Sequence, residues 1–462
     1  MRDMGQPTRQ LAFEWEEAGE AQPEPTEGSR SATAPEQAEA LATGLMEAVV
    51  AADNLRQALR RVRANKGSPG VDGMTVDELP DYLRTAWPAL QAALLAGEYE
   101  PQPVKRVGIP KPGGGVRELG IPTVADRFIQ QAMLQVLTPI YDPGFSPHSY
   151  GFRPGKSAHG ALEQARAYVA EGRGWVVDLD LERFFDRVNH DVLMGRLAKR
   201  IGDRRLLRLV RRYLEAGVLL NGVVVERDEG TPQGGPLSPL LANILLDEWD
   251  KELDRRGHRF CRYADDCNIY VRSRRAGERV LVSVSRWLEG VLRLKVNSAK
   301  SAVGRPAERP FLGYRIIGMA RARLSVAPKS LARAKTTIRQ ITRRNRGRSL
   351  GHMLAELATF TDGWVGYYWA ARTPSVFEAL DGWVRRRVRC YQWKQWKTAR
   401  RRAQELRKAG IGRYLAWGTA YDGPGLWRAA GSPALTQALA NRVLVRHGYH
   451  SLSARYQSLA TG

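Results

Sequence analysis

The sequence predicts an α+β fold with an antiparallel sheet, followed by a helical C-terminal region. Between residues 104 and 325, short apolar runs alternate with segments of helical periodicity, and turn residues join several of these runs as hairpins. From about residue 326 onward, the apolar spacing is helical and basic residues are frequent. We therefore expect a sheet built from hairpins, rather than from regular βαβ repeats, in the first region.

Length and charge narrow the class of protein. The 462 residues suffice for several domains, and a hydrophobic content of 43% is ordinary for a globular protein. The formal charge of +24 favours a polyanionic partner, either nucleic acid or an anionic membrane surface. No apolar run reaches the length of about 18 residues that a membrane span needs, and no signal segment begins the chain. The expected protein is soluble and intracellular, with no membrane partner.

Cysteine usage excludes two further classes. Cys261, Cys267 and Cys390 show no C-x-x-C spacing, and the histidines are not clustered. Neither a disulfide framework nor a zinc site is therefore expected, and the three cysteines are most simply small buried residues.

The N-terminal region differs in composition from the rest of the chain. Residues 1–40 carry nine acidic and three basic residues among scattered Pro, Gly, Ser and Ala. This composition predicts a disordered acidic tail over residues 1–45. Helical periodicity then predicts an N-terminal extension over residues 46–103, before the first hairpin.

Two strand signals follow. Residues 104–122 contain two strand-like runs around a Pro/Gly turn, with Lys111 before the turn and Arg117 after it. Further along, the Val-rich stretch "WVVDLDL" is typical of a buried strand, and it ends near Asp180 where the chain becomes helical.

Adjacent acids occupy a strand-rich context in "RYADDCNIYVRS". A hairpin whose turn holds Asp265 and Asp266 would project two like charges from one sheet edge, which is costly unless cations bind there. Asp180 lies at the end of another strand and could converge on the same edge. Paired acids also occur at ordinary turns and helix caps, so the pattern alone leaves that alternative open.

Three convergent carboxylates have a specific chemical use. They can hold two Mg²⁺ ions about 3.5–4 Å apart, the arrangement that supports in-line phosphoryl transfer. Mg²⁺ prefers oxygen ligands and keeps substrate phosphates and water, which suits a site poor in His and Cys. The acids therefore predict polymerase chemistry.

Eight sequence blocks carry a family resemblance. The blocks are, in order along the chain, "NKGSPGVDGMT", "IPKPGGGVRELGIPTVADR", "SYGFRPGKSAHGAL", "DLDLERFFDRVNHD", "GTPQGGPLSPLLANILLDEWD", "YADD", "LKVNSAKS" and "FLGYRI". With these blocks in family order, the sequence from about Ala51 to its C-terminus resembles the reverse transcriptase/maturase proteins encoded within bacterial group II introns. The resemblance implies a right-hand polymerase, with fingers and palm over residues 104–325 and a helical thumb or maturase domain over residues 326–420. It leaves residues 421–462 as a short segment, interpreted as a remnant of a DNA-binding region.

The resemblance also assigns the metal-binding residues. It implies that Asp180, Asp265 and Asp266 hold the metal ions, with the backbone carbonyl of Leu181 as a further ligand. Asp180 is selected because Phe185 follows it by five residues, as the family motif requires. Asp178 is then expected to be structural.

Nucleotide contacts follow from the same resemblance. Phe185 corresponds to the bulky residue that crowds a ribose 2′-hydroxyl, although a core Phe is the alternative. Gln233 corresponds to the residue that contacts the incoming nucleotide. Lys111 and Arg117 are expected to clamp the triphosphate, as opposed to forming a solvated basic hairpin. Lys300 corresponds to the lysine that protonates the pyrophosphate leaving group.

The helical C-terminal region is strongly basic. Residues 328–408 contain 20 Lys and Arg against five Asp and Glu. By sequence, "RRRVRCYQWKQWKTARRR" places bases on every face of a helix, which predicts contacts to phosphates. The residues expected to bind nucleic acid are Arg385, Arg386, Arg387, Lys394 and Lys397. Most of the interleaved aromatic residues are expected to be helical core, with base stacking as the alternative.

The resemblance implies an RNA-directed DNA polymerase that also acts as a maturase in splicing and retromobility. Its expected cofactors are two Mg²⁺ ions, with Mn²⁺ as a substitute, and its expected partners are group II intron RNA, an RNA template with a DNA primer, target DNA and dNTPs. The expected location is the bacterial cytoplasm at the nucleoid. About 40 residues follow the basic helix, so the H-N-H endonuclease of many relatives is not expected. The sequence leaves the oligomeric state undetermined.

Two other functions compete with this one. The chain could be an RNA-binding splicing factor whose polymerase site is vestigial, but the intact Asp180, Asp265, Asp266 and Gln233 argue against decay. It could also be a polymerase of a defence or diversity-generating system, which the long basic C-terminal region disfavours.

Overall fold

The fold is described from a computed structural model that covers residues 41–110, 116–220, 223–225, 229–230, 234–422 and 425–461. The predicted acidic tail lies outside the described residues except for residues 41–45. Eighteen α-helices occur in this part of the chain. They are α1 (Leu45–Val49), α2 (Ala52–Ala64), α3 (Leu79–Ala96), α4 (Val124–Tyr141), α5 (Ala158–Ala170), α6 (His190–Leu197), α7 (Arg204–Glu215), α8 (Ser238–Arg255), α9 (Arg274–Trp287), α10 (Pro328–Ile341), α11 (Leu350–Tyr368), α12 (Pro374–Gln395), α13 (Ala399–Lys408), α14 (Arg413–Tyr421), α15 (Leu426–Ala429), α16 (Pro433–Ala438), α17 (Asn441–Arg446) and α18 (Leu452–Thr461).

The strands confirm the predicted antiparallel α+β architecture. They are β1 (Val104–Pro110), β2 (Val116–Ile121), β3 (Trp175–Leu179), β4 (Val218–Leu220), β5 (Val223–Val225), β6 (Arg259–Tyr263), β7 (Asp266–Val271), β8 (Ala302–Gly304), β9 (Tyr314–Ile317) and β10 (Arg323–Val326). One sheet has the order β2-β1-β4-β5, a second has the order β6-β7-β3-β8, and β9 pairs with β10. All pairs are antiparallel except β1 with β4.

The described chain forms two compact units that do not follow sequence order. The first contains the described residues up to 146 together with 182–249 and 288–295, and the second contains 147–181, 250–287 and 296–461. The β2-β1-β4-β5 sheet belongs to the first unit, whereas the β6-β7-β3-β8 sheet and the C-terminal helices belong to the second. The linear domain boundaries expected from the sequence stay a prediction.

The first unit is held by helices packed around a small polar cluster. Helix α4 begins at Val124 because the Thr123 side chain accepts a hydrogen bond from the Asp126 amide. The buried Asp126 carboxylate accepts hydrogen bonds from the hydroxyls of Thr123, Tyr99 and Tyr213. Burial raises the pKa of Asp126 despite these bonds.

The second unit has an extensive apolar core. The sheet strand β3 contributes Val176, Val177 and Leu179, each almost fully buried, and helices α5 and α9 pack against the same sheet. The adjacent Val176 and Val177 point to opposite faces of the sheet and are both buried, so this strand is covered on both faces and a Val-rich run forms its centre.

The aromatic residues of the C-terminal helices belong mostly to this core. Trp393, Tyr391 and Phe377 are buried, and Trp364 and Tyr367 pack against the same cluster. The expectation that most of these rings form a helical core rather than stacking platforms is therefore confirmed. None of the described helices has the length and apolar character required to cross a membrane.

Candidate active site

Asp180 is positioned by the end of strand β3. This strand pairs antiparallel with β7, with Asp178 opposite Asn268 and Leu179 opposite Cys267. One further step along both strands brings Asp180 to the level of Asp266, the first residue of β7. Side chains opposite each other in such a pair have Cβ atoms about 4.5–5.5 Å apart. The register thus joins two acids that are far apart in sequence.

Asp265 lies in the turn of the hairpin formed by β6 and β7. Tyr263 pairs with Asp266, so Ala264 and Asp265 alone form the connection. Ala264 has a φ of 57°, in the left-handed region that a tight connection requires. The sequence predicted that the turn holds both acids. That prediction is wrong for Asp266, which is a strand residue, because the turn closes one residue earlier.

A buried arginine forms a hydrogen bond to the backbone of this turn. Arg262 is completely buried, and its Nε and Nη2 atoms donate to the two carboxylate oxygens of Asp250 at 2.7 and 2.6 Å. Its Nη1 donates to the carbonyl of Ala264 at 2.8 Å, and Nη2 also donates to the Ser149 hydroxyl. Arg262 therefore connects the turn that carries Asp265 to helix α8 and to the loop before α5.

The loop "SYGFRPG" contacts the same turn through its backbone. The Tyr150 amide donates to the Arg262 carbonyl at 2.8 Å. A Cβ on Gly151 would lie 2.3 Å from the Ala264 amide nitrogen. Only glycine allows this approach, since any side chain would collide with backbone that cannot move aside.

A loop near residue 300 holds the other side of Asp180. The Asn297 amide donates to the Asp180 carbonyl at 2.8 Å, and the Asp180 amide donates to the Ser301 hydroxyl at 3.0 Å. The Lys300 ammonium lies 3.1 Å from the Asp180 carboxylate. The structure thus brings Lys300 and Asp180 together, and the role of Lys300 as a proton donor stays a prediction. Leu181, the predicted carbonyl ligand, is buried and forms an isolated bridge with Val296.

Asp178 has a different environment. It lies on the same face of β3 as Asp180 because successive strand residues alternate. Its carboxylate is 3.3 Å from Nε of Arg309, whose Nη2 donates to the Lys300 carbonyl at 2.6 Å. Desolvation raises the pKa of Asp178, and Arg309 opposes that shift. These contacts support the interpretation of Asp178 as a structural residue, which stays a prediction.

The electrostatics of the carboxylates fit a divalent cation. Desolvation, followed by the charges of Asp265 and Asp180, raises the pKa of Asp266 to about 7, although the residue as a whole stays exposed. The positively charged Lys300 ammonium already lies beside the Asp180 carboxylate. Carboxylate oxygens are the ligands that Mg²⁺ prefers. Within the described residues, no three His, Cys, Asp or Glu side chains are close enough to form a metal site by themselves. Oxygen ligands from a substrate would be needed to complete one.

We expect Mg²⁺ binding to weaken as the pH falls through about 7, because a protonated Asp266 is a poor ligand. Without a bound metal ion, the pH dependence that Asp266 gives to the free energy of unfolding has the opposite sign to that of an acid in an ion pair. Between the ordinary pKa of 3.8 and about 7, the folded state holds a proton that the unfolded state releases, so this group's contribution to stability decreases as the pH rises. Calorimetric Mg²⁺ titrations at about pH 6 and about pH 8 measure the effect. An affinity equal at both pH values, or a pH dependence unchanged in Asp266→Asn, would contradict it.

The structure describes only two of the four residues that are predicted to contact the nucleotide. Phe185 lies in a 3₁₀ turn (Phe184–Asp186) of the first unit and is partly exposed, whereas Phe184 is buried. Core burial, the alternative for Phe185, is therefore incomplete. Arg117 is a residue of β2 opposite Ile109. Lys111 and Gln233 lie outside the described residues.

The three predicted RNA-binding arginines of helix α12 contact the chain itself. Arg385 pairs with the buried Asp381, Arg386 donates to the Trp427 carbonyl and lies 4.4 Å from the Trp427 ring centroid, and Arg387 donates to the Thr342 hydroxyl. Helix α12 is therefore not basic on every face, because Val384 and Val388 are buried. Lys394 and Lys397 are exposed. RNA binding by these five residues stays a prediction.

The sequence analysis did not identify the buried acids that hold helix α12 and the Asp265 turn in place. Asp381 accepts hydrogen bonds from the Ser451 and Ser453 hydroxyls and from the Leu452 amide, which fixes the C-terminal segment on α12. Asp250 is the buried partner of Arg262. The available signal was a charged residue within an otherwise apolar strand or helix face, because such charges are buried only when paired.

Comparisons with known proteins cover most of the described chain. A family model described as "Reverse transcriptase (RNA-dependent DNA polymerase)" matches residues 109–316. A second, described as "Group II intron, maturase-specific domain", matches residues 331–410. All four candidate catalytic residues fall in the first match, and the predicted RNA-binding residues fall in the second.

Individual proteins show the same similarity. Protein YkfC of Escherichia coli (strain K12) is 34% identical over 314 residues, which cover 59% of this chain and 82% of that protein. Group II intron-encoded protein LtrA of Lactococcus lactis subsp. cremoris is 38% identical over 195 residues, covering 42% of this chain but only 32% of LtrA. A solved chain of the "Partial Cas6-RT-Cas1--Cas2 complex" is 26% identical with a TM-score of 0.35, covering 53% of this chain and 42% of that one.

Proposed function

This chain belongs to the family of group II intron reverse transcriptases with a maturase domain, and on that premise we propose that it copies RNA into DNA and promotes splicing and mobility of a group II intron. Members of this family use divalent metal ions. The proposed partners are the intron RNA, an RNA template with a DNA primer, target DNA and dNTPs. The proposed place of action is the bacterial cytoplasm, at the nucleoid where target DNA lies.

One observation carries the polymerase proposal. The β3–β7 register and the β6–β7 turn bring Asp180, Asp265 and Asp266 to one end of a single sheet. Desolvation, and after it the charges of Asp265 and Asp180, raises the pKa of Asp266, which is the environment of a carboxylate that lacks its cation. Polymerase chemistry needs such a group of oxygen ligands.

The side chains have distinct proposed roles. Asp180, Asp265 and Asp266, with the Leu181 carbonyl, would hold two Mg²⁺ ions, or Mn²⁺ as a substitute. Bound there, the ions would supply positive charge that activates the primer 3′-hydroxyl and neutralises the phosphates. Lys300, a neighbour of Asp180, would donate a proton to the departing pyrophosphate.

Four further residues have proposed roles in binding the nucleotide. Lys111 and Arg117 would clamp the triphosphate, Arg117 through its planar fork and Lys111 as a point charge. Gln233 would contact the incoming nucleotide. Phe185 would exclude a ribose 2′-hydroxyl. The predicted fingers hairpin supports this assignment because β1 and β2 pair as an antiparallel hairpin.

Primer extension tests the proposal directly. The wild-type protein should extend oligo(dT) on poly(rA) with dTTP and Mg²⁺, and chelation of divalent ions should stop the reaction. The purified protein should also promote splicing of the intron RNA that flanks its reading frame. A protein that promotes splicing but does not extend any primer on RNA would instead be a splicing factor with a vestigial polymerase site.

Phe185→Ala should increase incorporation of ribonucleotides, because a small side chain no longer crowds the 2′-hydroxyl. A discrimination of about 1–3 kcal/mol for one steric contact corresponds to about 5- to 150-fold in the rNTP/dNTP ratio of kcat/KM. Single-nucleotide extension with rTTP and dTTP measures this ratio. Phe184→Leu is the matched control, since Phe184 is buried and its ring packs against Phe185. A ratio that Phe185→Ala leaves unchanged would remove the proposed role.

A further inference from the structure

Helix α14 exposes two of its three aromatic residues, Tyr414 and Tyr421, and buries its alanines. Ala416 and Ala420, four residues apart, are almost completely buried. Tyr414 is 93% exposed and Tyr421 is 62% exposed. An ordinary surface helix turns its large apolar side chains toward the core. The reversed arrangement leaves ring surface in water, which marks the outer face as a binding surface.

The aromatic rings share one side of the helix. Tyr414, Trp417 and Tyr421 have spacings of three and four residues, which place them on one face, and Arg413 lies four residues before Trp417 on the same face. Trp417 is half-buried and packs against the core, and its ring stacks on that of the exposed Tyr421, with centroids 5.5 Å apart and planes at 24°. The side of the helix that carries Tyr414, Trp417 and Tyr421 is called the α14 aromatic face.

The surroundings of the α14 aromatic face are basic. Helix α13 packs against α14, and residues 394–413 contain eight Lys and Arg but only one acid, Glu405. In the part of the chain that the structure describes, the side chains of Arg400, Arg407 and Arg413 have no hydrogen bond or ion pair. Unlike the arginines of α12, these cations are available to a ligand.

The basic surroundings and the exposed rings together indicate which kind of ligand fits the α14 aromatic face. We propose that the α14 aromatic face binds unpaired nucleotides of a single-stranded nucleic acid, with bases stacked on the rings and phosphates contacted by the neighbouring arginines. Duplex nucleic acid offers no free base faces to stack. Residues 413–421 lie beyond both matched family segments, at the end of the thumb or maturase domain expected from the sequence, so this inference rests on the proposed function of that domain.

The test measures the affinity of the full chain for labelled single strands of about 12 nucleotides, the length that one such surface accommodates. Fluorescence anisotropy should show a roughly 5- to 150-fold weaker affinity for Tyr414→Leu, the range expected for loss of one base–aromatic stack. Tyr414→Phe keeps the ring and should bind like the wild type. Because Leu keeps apolar area, the comparison separates stacking from simple hydrophobic contact.

A second measurement is independent of overall affinity, since other basic surfaces also bind strands. Photocrosslinking of a 5-bromouridine-containing strand should attach to the peptide that contains residues 413–421. The matched control is Val282→Ser, another exposed apolar side chain in the same unit, 58% exposed, which should change neither readout.

Three outcomes would overturn the inference. Equal affinity of Tyr414→Leu and wild type without a crosslink in residues 413–421 excludes stacking there. A dimer that Tyr414→Leu dissociates, seen by sedimentation, would assign the face to a second copy. Binding to anionic vesicles that Tyr414→Leu abolishes would assign it to a membrane surface. Primer extension on poly(rA)/oligo(dT) in the same preparations reports separately on the proposed polymerase.

Discussion

Asp265→Asn should abolish primer extension while leaving RNA binding intact. Asp265 alone of the two adjacent acids occupies the turn, and the resemblance implies that it would hold the metal ions together with Asp180 and Asp266. Loss of several kcal/mol of transition-state stabilisation corresponds to a decrease in kcat of about 10³-fold or more. Single-turnover extension on poly(rA)/oligo(dT) measures the decrease, and template binding is measured in the same buffer.

A matched series of acids makes this prediction specific. Asp180→Asn should have an effect of similar size, whereas Asp178→Asn should retain most activity because Asp178 contacts Arg309 rather than a metal ion. Asp266→Asn should fall between these extremes if Asp266 is the weaker ligand. Primer extension that survives Asp265→Asn, or that is lost equally in Asp178→Asn, would contradict the assignment of Asp265 as a metal ligand.

Asp250→Asn should destabilise the second unit by about 3–5 kcal/mol, the cost of leaving a buried charge unpaired. Both side chains of the Asp250–Arg262 pair are completely buried, and in Asn an NH2 donor would face a guanidinium N–H where Asp250 presents its second acceptor oxygen. The free energy of unfolding, from urea titration of the full chain, measures the loss. Arg274→Ala breaks an exposed pair with Glu278 and should cost less than about 1 kcal/mol.

A double variant separates stability from positioning. Asp250→Leu combined with Arg262→Met removes both charges and should recover part of the stability lost in Asp250→Asn. It should not recover primer extension, because the Ala264 carbonyl in the Asp265 turn still lacks its donor. Full recovery of extension together with stability would mean that Arg262 serves only the fold.

The second unit illustrates what pattern reasoning can and cannot reach. The strand "WVVDLDL" and the hairpin around "YADD" were identifiable from apolar runs and turn residues, and both form as strands. The residue at which the turn closes was not identifiable from the sequence, because register depends on how strands pair across a sheet and not on either strand alone. That register moved Asp266 from the turn into β7.

The basic C-terminal helices illustrate a second limit. The excess of Lys and Arg was visible in the sequence, but its distribution between solvent and interior was not. Asp381 and Trp427 engage Arg385 and Arg386, and both partners come from helix positions that show no special pattern. A charge count cannot distinguish a free arginine from one that holds the chain together.

The sequence by itself determined the α+β class, because periodicity is a local property of a chain. Its charge predicted a polyanionic partner, and its ordered motifs predicted three metal-binding aspartates. Tertiary structure decided which groups meet. Pairing of β3 with β7 placed Asp180 level with Asp266, and packing of α12 against the C-terminal segment gave Arg386 its partner Trp427. It also left Tyr414 and Tyr421 of α14 exposed. These outcomes depend on contacts between distant residues, and the free energy of those contacts exists only once the chain has folded.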